Sequence, residues 1–342
     1  MKSLKNARIK IALLLSVSVI IIWILTYIAL IVTLLGGEAL GVKVPLYLVI
    51  FPLFAGYVPF PFKESYWLIF IFSVITISGI LIFRDFFKFL SNPGKEERFG
   101  RYSELFAVLI SFTLFSYFVS IIFTQQSNPF GNPTSNEPAN VVLLSLMHAP
   151  VWEEIVYRSL ILGVPLYLIS FRGKLPWYRA FVGGKFTINK SSVTLLIISA
   201  FFFGSAHLFA WEPAKFPSVF IAGIILGYVF LRYGIYASIA MHFIIDFSGS
   251  YSLLNGQFWF LASILLTIFM LFWFVLGIPY YFVYLHEIFF KKRNVERIEE
   301  DMDNLVLGYK IICPYCGFDQ HRYLGENKFQ CLRCGSVFYY KK

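Results

Sequence analysis

Cysteine is scarce in this chain and confined to one end. Its four cysteines, at 313, 316, 331 and 334 of 342 residues, all fall in the last thirty, so no disulfide framework spans the fold. Internal repeats and low-complexity tracts are missing as well. The first apolar run, 11–35, has no small-residue cleavage site behind it and is too long for the core of a secretion signal, so it reads as a retained membrane span. A His-Glu-x-x-His zincin signature is absent too. Loops 125–140 and 255–256 hold no Lys or Arg, and 212–215 holds only Lys215.

What the chain has in excess is apolar sequence. Hydrophobic residues make up 58% of it, against roughly 45–50% in a soluble domain, which indicates a polytopic membrane protein. The net charge of +10 would point to nucleic acid in a soluble protein. Here the basic residues sit in short loops between apolar runs, so they read as topology signals and speak against nucleic acid as a partner. Apolar runs occur at 11–35, 44–60, 66–83, 104–124, 141–171, 191–211, 216–232, 234–254 and 257–288. A span needs ~20 residues, and all but 44–60, broken by Pro45, Pro52 and Pro59, meet that need. If 44–60 is re-entrant or interfacial, the basic clusters at 2–10, 84–101, 172–190 and 291–293 share one side. That arrangement gives eight spans with both termini cytoplasmic. If 44–60 crosses, only the N-terminus changes sides, and everything after residue 84 keeps its orientation. The expected fold is therefore an all-α polytopic membrane protein in the cell membrane, with about eight transmembrane helices.

The most unusual stretch is Val151-Trp152-Glu153-Glu154-Ile155-Val156-Tyr157-Arg158, inside the apolar run 141–171. A charge in hydrocarbon costs about 2.5–3.5 kcal/mol on insertion scales, and three lie within six residues. On a helix Glu154 and Arg158 share a face and can pair, while Glu153 is turned ~100° away. Pro150 suits the first turn of this motif helix. His148 precedes it and is assigned no catalytic part. Two later apolar runs carry Phe203-Gly204-Ser205-Ala206-His207 and His242-Phe243-Ile244-Ile245-Asp246, with His242 and Asp246 again on one face. Taken singly, each is an ordinary polar contact between helices. Together they are three membrane segments with titratable groups, which is a functional signature.

These motifs, in this order, resemble those of the membrane-embedded CAAX-processing and bacteriocin-processing proteases. This family, also called CPBP or Abi, includes the type II CAAX prenyl endopeptidase. The resemblance covers about 145–250. It implies an intramembrane endopeptidase of the glutamate type, acting on membrane-associated or prenylated CAAX-like peptides. It further implies that Glu153 is the base that activates water and His207 helps to hold that water. His242 and Asp246 match the pair that stabilises the oxyanion, and Glu154, Arg158 and Phe203 match supporting positions. Some members have Asn in place of Asp246. An ionised Asp accepts hydrogen bonds and donates none, so Asp246 is either protonated or orients His242 and leaves donation to the ring.

Two alternatives stand beside this reading. Glu153, His207, His242 and Asp246 also form a His₂-carboxylate set of the kind that binds zinc, although the family chemistry needs no catalytic metal. The same cavity also suits a non-catalytic adaptor or an immunity or regulatory protein. At 1.5 Å per residue, His207 and Asp246 lie ~24 and ~18 Å from the cytoplasmic starts of their helices. That places the site in the middle to outer half of the bilayer, where a membrane-inserted peptide is the easier substrate.

The remaining segments are connectors and a tail. Residues 125–134 are polar and rich in turn formers, an external linker or, alternatively, a lid. Asn189-Lys190-Ser191 matches a glycosylation acceptor but faces the cytoplasm in this topology. After Phe290 the composition turns charged, and Cys313-x-x-Cys316 and Cys331-x-x-Cys334 follow, each with a glycine behind it. Two knuckles at this spacing indicate a Cys₄ zinc ribbon, with a redox dithiol pair as the weaker alternative. A domain this small needs the metal in place of a large core. The expected domains are N-terminal helices 1–140, a catalytic core 141–254, a last span 255–290, a charged linker 291–308 and the ribbon 309–342. Expected partners are a peptide or protein substrate, lipidated or not, membrane lipids, and a protein bound at the ribbon.

Overall fold

The structure is a computed structural model. It describes residues 2–36, 46–50, 54–58, 64–93, 98–126, 128, 137–169, 176–209, 211–286, 313–315, 321–325, 328–332 and 334–339. The chain divides into two compact units, Met1–Tyr280 and Tyr281–Lys342, each with its own core.

Among the described residues the first unit is helical apart from one hairpin and its connections. Its helices are α1 (Lys2–Leu35), α2 (Glu64–Ser91), α3 (Arg98–Thr124), α4 (Ala139–Glu153), α5 (Val164–Ile169), α6 (Arg179–Val182), α7 (Lys190–Ala206), α8 (Phe216–Arg232) and α9 (Ile235–Phe247). It also contains most of α10 (Gln257–His286). Five stretches are long and apolar enough to cross a bilayer: Ala7–Leu35, Ser65–Ser91, Arg98–Thr124, Pro213–Arg232 and Gln257–His286. Large apolar side chains face outward on them, among them Ile69 and Ile80, Phe118 and Ile122, and Phe260 and Val275. Water disfavours such an exterior and lipid accepts it. The protein is a multi-pass membrane protein.

Three of the expected spans take other forms. The run 141–171 is continuous helix over Ala139–Ile169 in three geometries: α4, a π-helical segment Glu154–Gly163, and α5. The run 191–211 is α7, 17 residues long, which rises ~26 Å at 1.5 Å per residue. The run 234–254 is α9 followed by a 3₁₀ turn, Ser248–Leu253. Pro150, expected in the first turn of the motif helix, lies in its interior instead, because α4 already begins at Ala139. Without an N–H, Pro150 cannot close its i→i−4 bond. The helix passes into π geometry four residues later.

The doubtful run 44–60 contains two strands, β1 (Leu46–Ile50) and β2 (Phe54–Val58). They pair antiparallel from Leu46 opposite Val58 to Ile50 opposite Phe54. The chain therefore turns back on itself, with Pro52 between the strands. Five residues extend only ~17 Å as a strand, well short of the ~30 Å hydrocarbon layer.

Helix α9 occupies the centre of the unit, packed against α1, α2, α4 and α8. Ile239, Phe243 and Phe247 of α9 share one apolar cluster with Leu143, Leu144, Met147 and Val151 of α4. On the other side α7 and α8 pack closely. A Cβ on Gly223 would come within 2.9 Å of the Ala200 Cα, so glycine is what permits the approach. Gly234, with φ +111°, turns the chain sharply from α8 into α9. Asn189 caps α7 by accepting from the Ser192 N–H at 2.9 Å, and the Ser192 hydroxyl accepts from the Asn189 N–H at 2.8 Å. The asparagine of the glycosylation triplet thus starts a helix.

The second unit contains a three-stranded antiparallel sheet, β3 (His321–Gly325), β4 (Lys328–Cys331) and β5 (Val337–Tyr339), in that order. Cys313, Cys331 and Phe338 are buried together with Phe329 packed on them. The knuckle at Cys331 is closed by the Gly335 N–H donating to the Cys331 carbonyl at 3.0 Å, with Gly335 at φ +73°. The charged stretch 291–308, most of loop 125–134 and Cys316 lie outside the described residues.

Candidate active site

The site forms where the α4–π junction, α7 and α9 meet. Glu153 ends the α-helical turn and Glu154 opens the π segment, so the two adjacent carboxylates diverge into different surroundings. π-helical turns inside α-helices recur at functional sites. The widened segment is held from outside. The Ser199 hydroxyl on α7 donates to the Tyr157 carbonyl at 2.6 Å, and the Ser159 hydroxyl donates to the Phe181 carbonyl at 2.8 Å.

Glu154 and Arg158 have no solvent exposure. Glu154 Oε2 lies 3.2 Å from Arg158 Nε and accepts from the Ser238 hydroxyl on α9. Its Oε1 lies 2.9 Å from His242 Nδ1. The carboxylate thus has two hydrogen-bond partners and an opposite charge beside it, as a charge buried in a bundle requires, while the three Arg158 nitrogens have no hydrogen-bond partner among the described residues. Arg158 also stacks its guanidinium over the Phe203 ring, 4.5 Å from the centroid, a favourable cation–π contact.

Glu153 is placed differently. Its side chain is 23% exposed, and its buried Oε2 accepts no hydrogen bond among the described residues. The nearest charged partner is His242 Nε2 at 3.6 Å. His242 Nε2 is also 3.3 Å from Asp246 Oδ2, one helical turn further along α9. Both ring nitrogens of His242 therefore face carboxylate oxygens, which accept and do not donate. His207 ends α7 with Nδ1 at 2.9 Å from the Phe203 carbonyl. That bond places a proton on Nδ1 and leaves Nε2 as an acceptor.

Phe203 joins these groups. Its ring meets His207 edge-on at 5.0 Å, His242 at 5.8 Å and Tyr157 at 5.3 Å between centroids. His148 stands apart. It is buried, its Nε2 has no hydrogen-bond partner among the described residues, and it stacks on Trp152 and leans against Trp67.

The motif residues Glu153, Glu154, Arg158, Phe203, His207, His242 and Asp246, drawn from three separate segments, thus form one connected group of contacts. Residues 135–248 match the family model of the type II CAAX prenyl endopeptidase Rce1-like proteins. The Rce1-like match covers a third of the chain, from just before α4 to the end of α9, and contains all seven of these residues. It points to CAAX-type intramembrane proteolysis. Helices α1, α2, α3 and α10 and the C-terminal sheet lie outside the Rce1-like region. No curated protein and no solved structure matches the chain.

Sequence reading missed two side chains here. Ser238 is four residues before His242, on the face of α9 that carries His242 and Asp246, and that spacing was available as a signal. Lys215, a loop charge in the sequence, precedes α8 half-buried, with its ammonium over the Trp211 ring.

In the C-terminal unit the sulfur atoms of Cys313, Cys331 and Cys334 lie within 4.8 Å of one another. Cys313 and Cys334 are 3.7 Å apart, beyond the ~2.05 Å of a disulfide. Three convergent thiols of this kind fit a metal ion that takes sulfur ligands.

Proposed function

We propose that the protein is an intramembrane endopeptidase that hydrolyses peptide bonds of membrane-associated, CAAX-like lipidated peptides with a water activated by Glu153. The observation that carries this reading is the contrast between two neighbouring carboxylates. Glu154 is hydrogen-bonded to Ser238 and His242 and ion-paired with Arg158, whereas Glu153 keeps an oxygen free of hydrogen bonds beside His242. The paired group serves structure and the other is available for proton transfer.

In this mechanism Glu153 takes a proton from water as the water oxygen attacks the scissile carbonyl carbon. The carbonyl π electrons move to oxygen, and the resulting oxyanion collapses with cleavage of the C–N bond. Glu153 then returns the proton to the leaving amine. His207 accepts a hydrogen bond from the water through Nε2. Asp246 orients His242, while Glu154, Arg158 and Phe203 hold the ring from the other side.

The test is cleavage of a quenched fluorescent peptide with a prenylated Cys-x-x-x C-terminus by the full chain in proteoliposomes. Glu153→Gln should lower turnover by ~10²–10⁴-fold, the usual contribution of a general base. Full biological function in that variant would favour the adaptor reading.

The C-terminal unit we assign as a zinc ribbon with ligands Cys313, Cys316, Cys331 and Cys334. Four thiolates around one ion stabilise a fold whose own core is only a few residues. With the hairpin 46–58 turning back, the basic clusters share one side, which supports cytoplasmic N- and C-termini and a compartment where these thiols stay reduced.

A further inference from the structure

The outward face of the C-terminal sheet carries cations and apolar side chains and, among the described residues, no acid. Phe329, Cys331 and Phe338 belong to the small core of this unit. The residues that alternate with them along β4 and β5 therefore point away from it. These are Lys328 and Gln330 on β4, and Val337 and Tyr339 on β5. Arg322 on β3 pairs with Gln330, which pairs in turn with Val337, so the three form one row across the sheet. Lys328 pairs with Tyr339 in the next row, and its ammonium is 5.6 Å from the centre of the Tyr339 ring. Tyr339 is 66% exposed and Val337 40%. Arg322 is exposed as well.

A face of this composition suits an anionic partner with an apolar layer behind it. Residues 309–342 hold six Lys or Arg against two acids, so the unit stays positive even with four thiolates around one divalent ion. Lys and Arg are drawn to the anionic headgroups of a bilayer, and tyrosine favours the headgroup level, where its ring and hydroxyl are both satisfied. A nucleic acid would use the cations and the tyrosine but would gain little from Val337. The bilayer is also always in reach. Only 26 residues, 287–312, separate the end of α10 from Cys313, and a chain of that length spans at most ~90 Å.

We propose that the C-terminal unit docks on the anionic bilayer surface next to α10, through the sheet face formed by Arg322, Lys328, Val337 and Tyr339. The cations meet lipid phosphates, and Tyr339 and Val337 enter the headgroup layer. This interaction is independent of the proteolytic reading, and it gives the unit a binding role that needs no protein partner.

The test uses the full chain, purified without chelator, in vesicles of phosphatidylcholine alone or mixed equally with phosphatidylglycerol. Photoreactive benzoylphenylalanine replaces Tyr339 on the proposed face or, as a control, Tyr323, which pairs with Phe329 on the opposite face. After illumination, lipid adducts are measured by mass spectrometry, and limited proteolysis reports that the unit is folded. Position 339 should give phosphatidylglycerol adducts in the mixed vesicles, and position 323 few. Arg322→Gln with Lys328→Gln should lower the yield at 339 by about tenfold or more, since each cation at an anionic surface strengthens binding about fivefold. High salt should lower it too. Equal yields at 339 and 323, or in the two kinds of vesicle, overturn the proposal, because a tethered but undocked unit meets lipid from every side. So do adducts to the chain itself in place of lipid, which would show the face covered by protein, such as the acidic segment 299–303. Loss of the lipid adducts on adding equimolar RNA also overturns it and makes nucleic acid the partner.

Discussion

His242 Nδ1 lies 2.9 Å from Glu154 Oε1, a contact between residues 88 positions apart. It joins the π segment of the motif helix to the central helix α9 at a fully buried carboxylate. Ser238, on the same face of α9, adds a second link to that carboxylate. The alignment of the two helices therefore depends on one charged group with partners from both sides.

Removing that group should be costly. Glu154→Ala leaves Arg158 buried and uncompensated, a change worth roughly 3–5 kcal/mol. Arg158→Ala should be comparably severe, since it also deletes the stacking on Phe203. The double variant should recover part of the loss, because directly coupled residues are non-additive. Recovery should be incomplete, because His242 and Ser238 would still lack their acceptor. Glu153→Gln should hold or raise stability while abolishing cleavage. Thermal unfolding in detergent beside cleavage rates separates the two carboxylates. A stable but inactive Glu154→Ala with a fully active Glu153→Gln would reverse the assignment.

Ser238→Ala should destabilise by about 1.5–3 kcal/mol, the range for hydrogen bonds to charged groups. It should slow cleavage only modestly, since Ser238 acts on Glu154 and not on Glu153. Ser238→Thr keeps the hydroxyl and should restore most of the stability. Unfolding curves for the two variants check this, and equal losses in both would show that volume at α9, not the hydroxyl, is what matters.

The purified protein should contain about one zinc per chain, as a Cys₄ ribbon requires. Cys331→Ser should abolish the metal and unfold residues 313–339 while the membrane unit keeps its unfolding temperature. Metal content by mass spectrometry and limited proteolysis report on the two effects. A ratio near zero after chelator-free purification would point to the dithiol alternative.

A reporter fused after Lys342 should be cytoplasmic, and a cysteine introduced at Ser127 should react with an impermeant thiol reagent from outside. The positive-inside distribution of basic loops and the hairpin at 46–58 lead to the same orientation. Labelling at 127 only after permeabilisation would invert it.

Much of this was already decided along the chain. Apolar runs of membrane length identify a polytopic protein because hydrocarbon accepts little else. The pairs Glu154–Arg158 and His242–Asp246 follow from helical spacing, which places residues four apart on one face. The cysteine knuckles carry their own geometry in two-residue gaps. Tertiary packing decided the rest. The π geometry after Pro150, the return of the chain between β1 and β2, and the contacts of Glu154 with His242 and Ser238 depend on how separate segments meet. So does the gathering of Arg158, His207 and His242 around Phe203. Helical period fixes which residues share a face of one helix. The rotation and depth at which two helices pack fix which faces meet, and that depends on side-chain volumes across the bundle, such as the small Gly223 against Ala200.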